Sequence, residues 1–173
     1  MADFLNINEV LINLDLKEDM IAAEFGCGSA IIAIALSKKF KKGRVYAIDI
    51  QQEKLSALKE RAHKEGINNI FPILCDLEAP NGSTLQADSL DLILIPNVLF
   101  QSENKHAIIK EAARVLKQAG QLLIIDWIKK VAHGHMDSVV SPEEVKKISE
   151  GLGLRLKKEF AFGDYHYGLL FAK

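Results

Sequence analysis

Glu24-Phe25-Gly26-Cys27-Gly28-Ser29-Ala30 decides the reading of this chain, because it joins one apolar run directly to another. Met20-Ile21-Ala22-Ala23 before it has the composition of a short buried strand, and Ile31-Ile32-Ala33-Ile34-Ala35-Leu36 after it that of the apolar part of a helix. Two glycines at a strand-to-helix turn let the backbone bend sharply and let a ligand approach the main chain without meeting a Cβ. Such a turn suits a nucleotide-like ligand, and the spacing narrows which one. A dinucleotide fingerprint, G-x-G-x-x-G/A, needs a small residue at position 31, where the β-branched Ile31 stands. The acid two residues before the first glycine fits instead the pattern E/D-x-G-x-G-x-G, with Ala30 in the place of the last glycine.

Outward from this turn, apolar runs alternate with helical patterns. Met20–Phe25, Arg44–Ile50, Ile70–Leu74, Leu90–Ile95 and Leu122–Ile125 are short and rich in Ile, Leu and Val, as strands buried on both faces of a parallel sheet are. Gln51–Glu65 spaces Leu55, Leu58 and Ala62 as a helix face and stops at Gly66. Ser102–Lys117 is a second helix with Ile108, Ile109, Ala112, Val115 and Leu116 inward, opened by a Ser102 that lacks the Glu of a capping box. Ser141-Pro142-Glu143-Glu144 starts a third, which runs to about Glu150 before Gly151. Leu154–Phe160 and Tyr167–Ala172 read as strands, and the Ala161–His166 joint is too short for a parallel crossover. The expected fold is α/β: a doubly wound, mostly parallel sheet of seven strands with the last antiparallel and helices on both faces, in one domain over residues 1–173. Leu5, Ile7, Val10, Leu11 and Leu14, ahead of the first strand, offer one short amphipathic helix.

Lys and Arg total 22 against 23 Asp and Glu, a formal net charge of -1. No field of one sign is available to draw in a polyanion, which argues against a nucleic-acid partner. The start, Met1-Ala2-Asp3-Phe4, lacks a basic leader, and no apolar run reaches the ~20 residues that span a bilayer. A cytoplasmic location with no membrane partner is the expectation. Cys27 and Cys75 read as reduced, buried thiols.

Glu24, Asp49 and Asp76 stand at the ends of three consecutive strands. Asp49, about 20 residues beyond the glycine turn, is placed to accept from both hydroxyls of a ribose. Asp49 and Asp76 taken singly are equally at home as helix caps or loop acids, whereas three acids in succession are hard to assign to chance.

With these positions the chain resembles the class I, Rossmann-like S-adenosylmethionine-dependent methyltransferases. Glu24–Ala30 matches their first motif, and Asp91-Leu92-Ile93-Leu94-Ile95-Pro96-Asn97-Val98-Leu99 their fourth. Glu111-Ala112-Ala113-Arg114-Val115-Leu116-Lys117 resembles their E-x-x-R-V-L-K-P-G-G passage, with Gln118 and Ala119 where Pro and Gly are usual. Small bacterial members related to the ubiquinone/menaquinone-biosynthesis type have a similar Gly163-Asp164-Tyr165-His166-Tyr167-Gly168 strand entry. The resemblance implies S-adenosyl-L-methionine as cofactor and methyl transfer to a small-molecule acceptor. It assigns cofactor contacts to Gly26, Cys27, Gly28, Ser29 and Asn97, with Glu24 reaching the methionine amino group and Asp49 the ribose. By the same resemblance Asp76 would accept from the adenine amino group, and Ile50 and Leu77 would sandwich the ring. A sulfonium and an ammonium favour such an acidic lining.

Methyl transfer from a sulfonium is an in-line displacement that positioning can largely catalyse, with a base needed only where the acceptor starts protonated. Asn97 and His166 are the candidate catalytic residues, although His166 reads equally well as a locally bonded hairpin position. Pro96-Asn97-Val98-Leu99 is not the [DN]-P-P-aromatic signature of enzymes that methylate exocyclic nucleobase amines. His133-Gly134-His135 suits a solvated loop better than a metal site, so no metal is expected. His63 and His106 read as surface residues. The acceptor pocket is expected to be lined by Asn97, Trp127, the Ala132–Met136 loop and His166. The rival reading is a non-catalytic module that binds the same cofactor. Oligomeric state stays open, a homodimer included.

Overall fold

The computed structural model of the protein describes residues 5–128 and 139–173. Along the chain run Ile7–Ile12 (α1), Ile21–Phe25 (β1), Ile31–Lys39 (α2), Arg44–Asp49 (β2), Gln52–Lys64 (α3), Ile70–Leu74 (β3) and Leu90–Pro96 (β4). Lys105–Val115 (α4), Leu116–Trp127 (β5), Pro142–Gly151 (α5), Arg155–Phe162 (β6) and His166–Ala172 (β7) follow. The strands form one seven-stranded sheet in the order β3-β2-β1-β4-β5-β7-β6. β1 pairs in parallel with β2 on one side and β4 on the other, so strand order reverses at β1, the crevice where open α/β sheets bind ligands. The expected doubly wound, mostly parallel architecture is the one observed.

Neighbouring residues of the central strands feed opposite cores. Ala22, Leu92, Leu94 and Leu123 pack with α1, α2 and α3, whereas Ala23, Ile93, Ile95 and Leu122 pack with α4 and α5. Burial on both faces is why these strands are continuously apolar. β7 lies antiparallel between β5 and β6. Its residues from His166 to Phe171 are all buried, while β6 presents Arg155, Lys157, Lys158 and Glu159 to solvent. A charged strand belongs at a sheet edge, where it discourages pairing with another chain. β3 forms the opposite edge and tolerates Pro72 and the exposed Phe71 there.

Several boundaries differ from the sequence reading. The helix after β4 begins at Lys105: Asn104 Oδ1 caps it by accepting from Ala107 N–H at 3.0 Å, whereas Ser102 Oγ donates to Val98 O at 2.8 Å. Leu99–Gln101 ahead of it forms a separate 3₁₀ turn. β5 extends to both sides of Leu122–Ile125, because Leu116 pairs with Leu90 and Trp127 with His166. The last two strands close up to a Phe162–His166 pair, so the ladder continues well into the expected Ala161–His166 joint. The short helix expected near the start forms as α1, and its Val10 and Leu11 are buried in the core beside α2. No helix among the described residues is long and apolar enough to cross a membrane.

Phe162 anchors the antiparallel end: it is buried, stacks on Phe160 with ring centroids 5.5 Å apart, and fills the space that a Cβ on Gly168 would need. Phe162→Ala should lower unfolding free energy by about 3–5 kcal/mol through lost burial and a cavity, measured by denaturant titration. A change below about 1 kcal/mol would mean the site collapses around the loss.

Candidate functional site

α2 starts without a side-chain cap of its own: its N-cap, Ala30, adopts φ 57° and offers no acceptor. Glu24, from the end of β1, supplies one, its Oε2 accepting from Ala33 N–H at 2.8 Å. Between them Gly26 takes φ +74°, and a Cβ there would lie 2.4 Å from Val98 Cγ2. The glycine turn therefore presses against the segment that leaves β4. Gly26 and Cys27 N–H both donate to Ile48 O, each at 2.8 Å.

Asp49 completes the arrangement. Its Oδ2 accepts from Gly28 N–H at 2.9 Å and its Oδ1 from Gln51 N–H at 2.9 Å, tying the turn to the start of α3. The space beside Gly28 is open: a Cβ there would meet nothing closer than Gly26 O at 4.0 Å. Ser29 is exposed and Ile50, just past Asp49, is 65% exposed. Asp76 is exposed and its Oδ1 accepts from Glu78 N–H at 2.8 Å, within its own turn. Leu77 is only 7% exposed, packed mostly into the core. Asn97 adopts φ 54°, its N–H donates to Ile125 O at 2.8 Å, and its buried Oδ1 has no partner among the described residues. Gly28 and Asp49 are thus joined directly, Glu24 ties the end of β1 to α2, Asn97 stands beside the Val98 against which Gly26 presses, and Asp76 stands apart in the loop after β3.

Burial pushes Glu24, 2% exposed, up to about 8, and the nearby Asp49 charge adds to the effect against the opposing Ala33 hydrogen bond. The Cys27 thiol is pushed up to about 12 by burial and by the Glu24 and Asp49 charges, and Cys75 to about 11, chiefly by burial. Both are free thiols that stay protonated; Cys27 is buried as the sequence reading expected, whereas Cys75 is only partly buried.

A fourth strand-end acid escaped the sequence reading. Asp126 is fully buried and accepts from Trp127 N–H at 2.8 Å and, through Oδ2, from Phe100 N–H at 3.2 Å. Burial lifts it to about 6 against those hydrogen bonds. It pins the Leu99–Gln101 turn that follows Asn97. Its signal lay in the sequence, since it follows the apolar run Leu122–Ile125 as Asp49 and Asp76 follow theirs.

On the opposite face of the same strand end, the ring of His166 lies 4.0 Å from that of Trp127, which meets Phe100 edge-on at 6.5 Å. His166 is fully buried, and neither ring nitrogen has a hydrogen-bond partner among the described residues. Burial lowers its pKa, so the imidazole is neutral at pH 7. His133, His135 and the Ala132–Met136 loop lie outside the described residues. His63 and His106 are exposed, as expected. Among the described residues no three His, Cys, Asp or Glu converge as metal ligands would.

A family model described as "Methyltransferase domain" matches residues 16–154. A solved S-adenosylmethionine-dependent methyltransferase from Aquifex aeolicus is 28% identical and superposes with a TM-score of 0.86, covering 97% of this chain and 89% of that one. The ubiquinone/menaquinone biosynthesis C-methyltransferase of Hydrogenovibrio crunogenus is 29% identical over 63% of this chain and 42% of its own length. The ribosomal protein L11 methyltransferase of Vibrio cholerae is 35% identical over 53% of this chain and 28% of its own length. Across the curated relatives named here and a Bacillus subtilis protein, the chain spans between 28% and 58% of the relative's length.

Because Glu24 has an ordinary value of 4.5 and a folded value near 8, the folded state holds a proton that the unfolded chain releases. Stability should therefore fall as pH rises through that interval, the reverse of a salt-bridged acid. Glu24→Gln should shrink the drop in Tm between about pH 5 and about pH 8. The same drop in both proteins would assign it to other groups.

Proposed function

The chain belongs to the methyltransferase-domain family and its cofactor is S-adenosyl-L-methionine, and we propose that it transfers the methyl group to a small-molecule acceptor by in-line displacement. The observation that carries this reading is the hydrogen-bonded crest of Glu24, the glycine turn and Asp49 at the point where strand order reverses. These residues fit the cofactor: open space lies beside Gly28, Asn97 holds a buried acceptor without a partner among the described residues, and Ile50 exposes an apolar face. Glu24 would take the amino group, Asp49 the ribose hydroxyls and Asp76 the adenine amino group. When bound, the cofactor supplies a methyl on a sulfonium whose positive charge disappears during transfer.

The acceptor would sit beyond β4 and β5, the half of the crevice that the cofactor leaves, against Asn97 and the Trp127–His166 stack. An enclosed histidine beside a partly buried aromatic ring favours a small acceptor over a protein segment. Where that acceptor must lose a proton, the neutral His166 imidazole would take it. The chain's near-balanced charge supports no nucleic-acid substrate.

Calorimetry should show binding of S-adenosylmethionine and its demethylated product; NAD binding more tightly than either would overturn the assignment. Asp49→Ala should weaken both at least about tenfold, since charge-assisted hydrogen bonds contribute roughly 1.5–3 kcal/mol each. Incubation with methyl-labelled cofactor and a metabolite extract tests the transfer, and binding without transfer to any acceptor would favour a sensor module. His166→Ala should lower turnover without weakening cofactor binding and should remove an acid limb lying below about pH 6.5. Full activity across that range would leave positioning as the source of catalysis.

A further inference from the structure

The loop after β3 is tied to α4 at two places. At the first, Glu78 Oε1 accepts from Glu103 N–H at 3.2 Å and its Oε2 from Asn104 N–H at 2.9 Å. At the second, Glu111 Oε1 accepts from Ser83 N–H at 3.1 Å while Arg114 Nη2 donates to Leu85 O at 2.8 Å and to Glu111 at 2.7 Å. Between the ties the chain doubles back tightly: a Cβ on Gly82 would lie 1.9 Å from Asp76 O. Packing between loop and helix is incomplete, for a cavity of about 350 Å³ opens among Ala79, Asn81, His106 and Lys110.

We propose that Glu78 is a positioning residue for adenine recognition, holding the Asp76 turn against the start of α4 so that the Asp76 carboxylate meets the adenine amino group in one place. The inference rests on the reading of Asp76 as the adenine contact. Asp76 Oδ1 accepts from the N–H of Glu78, whose carboxylate in turn grips the start of α4, so one residue links the recognition group to a helix whose inner face is packed in the core. A carboxylate suits the task because its two oxygens accept from two successive N–H groups at once, at the helix end that favours negative charge. A cavity on one side of the turn leaves packing too loose to replace that bond pair. The same Glu103–Asn104 segment follows the turn pinned by Asp126, so the adenine side and the acceptor side of the crevice share an anchor.

The test compares affinity for S-adenosylhomocysteine with that for its hypoxanthine analogue, in which a carbonyl that repels Asp76 replaces the amino group. The intact protein should prefer the adenine form by about tenfold or more, and Asp76→Ala should erase that preference. Glu78→Ala should weaken adenine binding by roughly threefold to tenfold, leave hypoxanthine binding nearly unchanged, and add no further loss in an Asp76→Ala background. Glu78→Gln, which keeps one acceptor oxygen, should fall between and guards against a variant that fails to fold. A structural role alone would lower Tm without moving the adenine-to-hypoxanthine ratio. Should that ratio stay put in both Glu78 variants while Asp76→Ala abolishes it, Glu78 positions nothing and the proposal fails alone. Should Asp76→Ala itself keep the preference, the adenine contact has been misassigned and the proposal falls with it.

Discussion

The carboxylate of Asp49 accepts from Gly28 N–H and Gln51 N–H at 2.9 Å each, and the crest of the sheet is organised around that grip. One hydrogen bond reaches across to the turn between β1 and α2, and the other closes the turn into α3. With Gly26 and Cys27 N–H both on Ile48 O, the glycine turn is held from the β2 side by three hydrogen bonds. A turn fixed in this way presents its open face beside Gly28 at a constant place, which is what tight binding of a cofactor with several polar groups requires.

Acids at strand ends do two jobs in this protein. Glu24 caps α2, Asp49 braces two turns, Asp76 closes its own turn and Asp126 pins the 3₁₀ turn after β4. Each also lies at the carboxyl edge, where a cationic, hydroxyl-rich ligand would be met. The two roles share a cause: backbone N–H groups are left without partners wherever a strand gives way to a helix, and a carboxylate is the acceptor that satisfies them most strongly. Burial then tunes each one differently, which is why Glu24 is held far above the ordinary carboxylate range and Asp126 more modestly so.

The Glu111-x-x-Arg114 pair also acquires a physical meaning. Glu111 is buried beneath Ser83 and chelated by Arg114, whose other contact is the carbonyl of Leu85. Burial alone would raise its carboxyl, but the hydrogen bonds with Arg114 and Ser83 outweigh that and hold it below the usual range. A motif in a helix thus serves to seat the loop between β3 and β4.

The sequence by itself determined the alternation of strands and helices, the parallel sheet with its antiparallel close, and the acids at three strand ends. These follow from local rules: continuous apolar runs mean burial on two faces, paired glycines mean a sharp turn, and a short joint permits only an antiparallel return. Charge in β6 against unbroken burial in β7 even accounts for which strand takes the edge. Only the tertiary structure decided that Asn104 rather than Ser102 caps α4, because that choice depends on Ser102 Oγ finding Val98 O. Likewise the reach of β5 to Trp127, the burial of His166 against it and the bond from Asp126 to Phe100 all depend on partners 26 or more residues away. Leu77, in the loop after β3, is buried with the core on the α4 and α5 side of the sheet, a burial that its neighbours in sequence do not set. Spacing along a chain encodes which elements form, whereas which polar groups are left to face a ligand is fixed only once distant elements have satisfied the others.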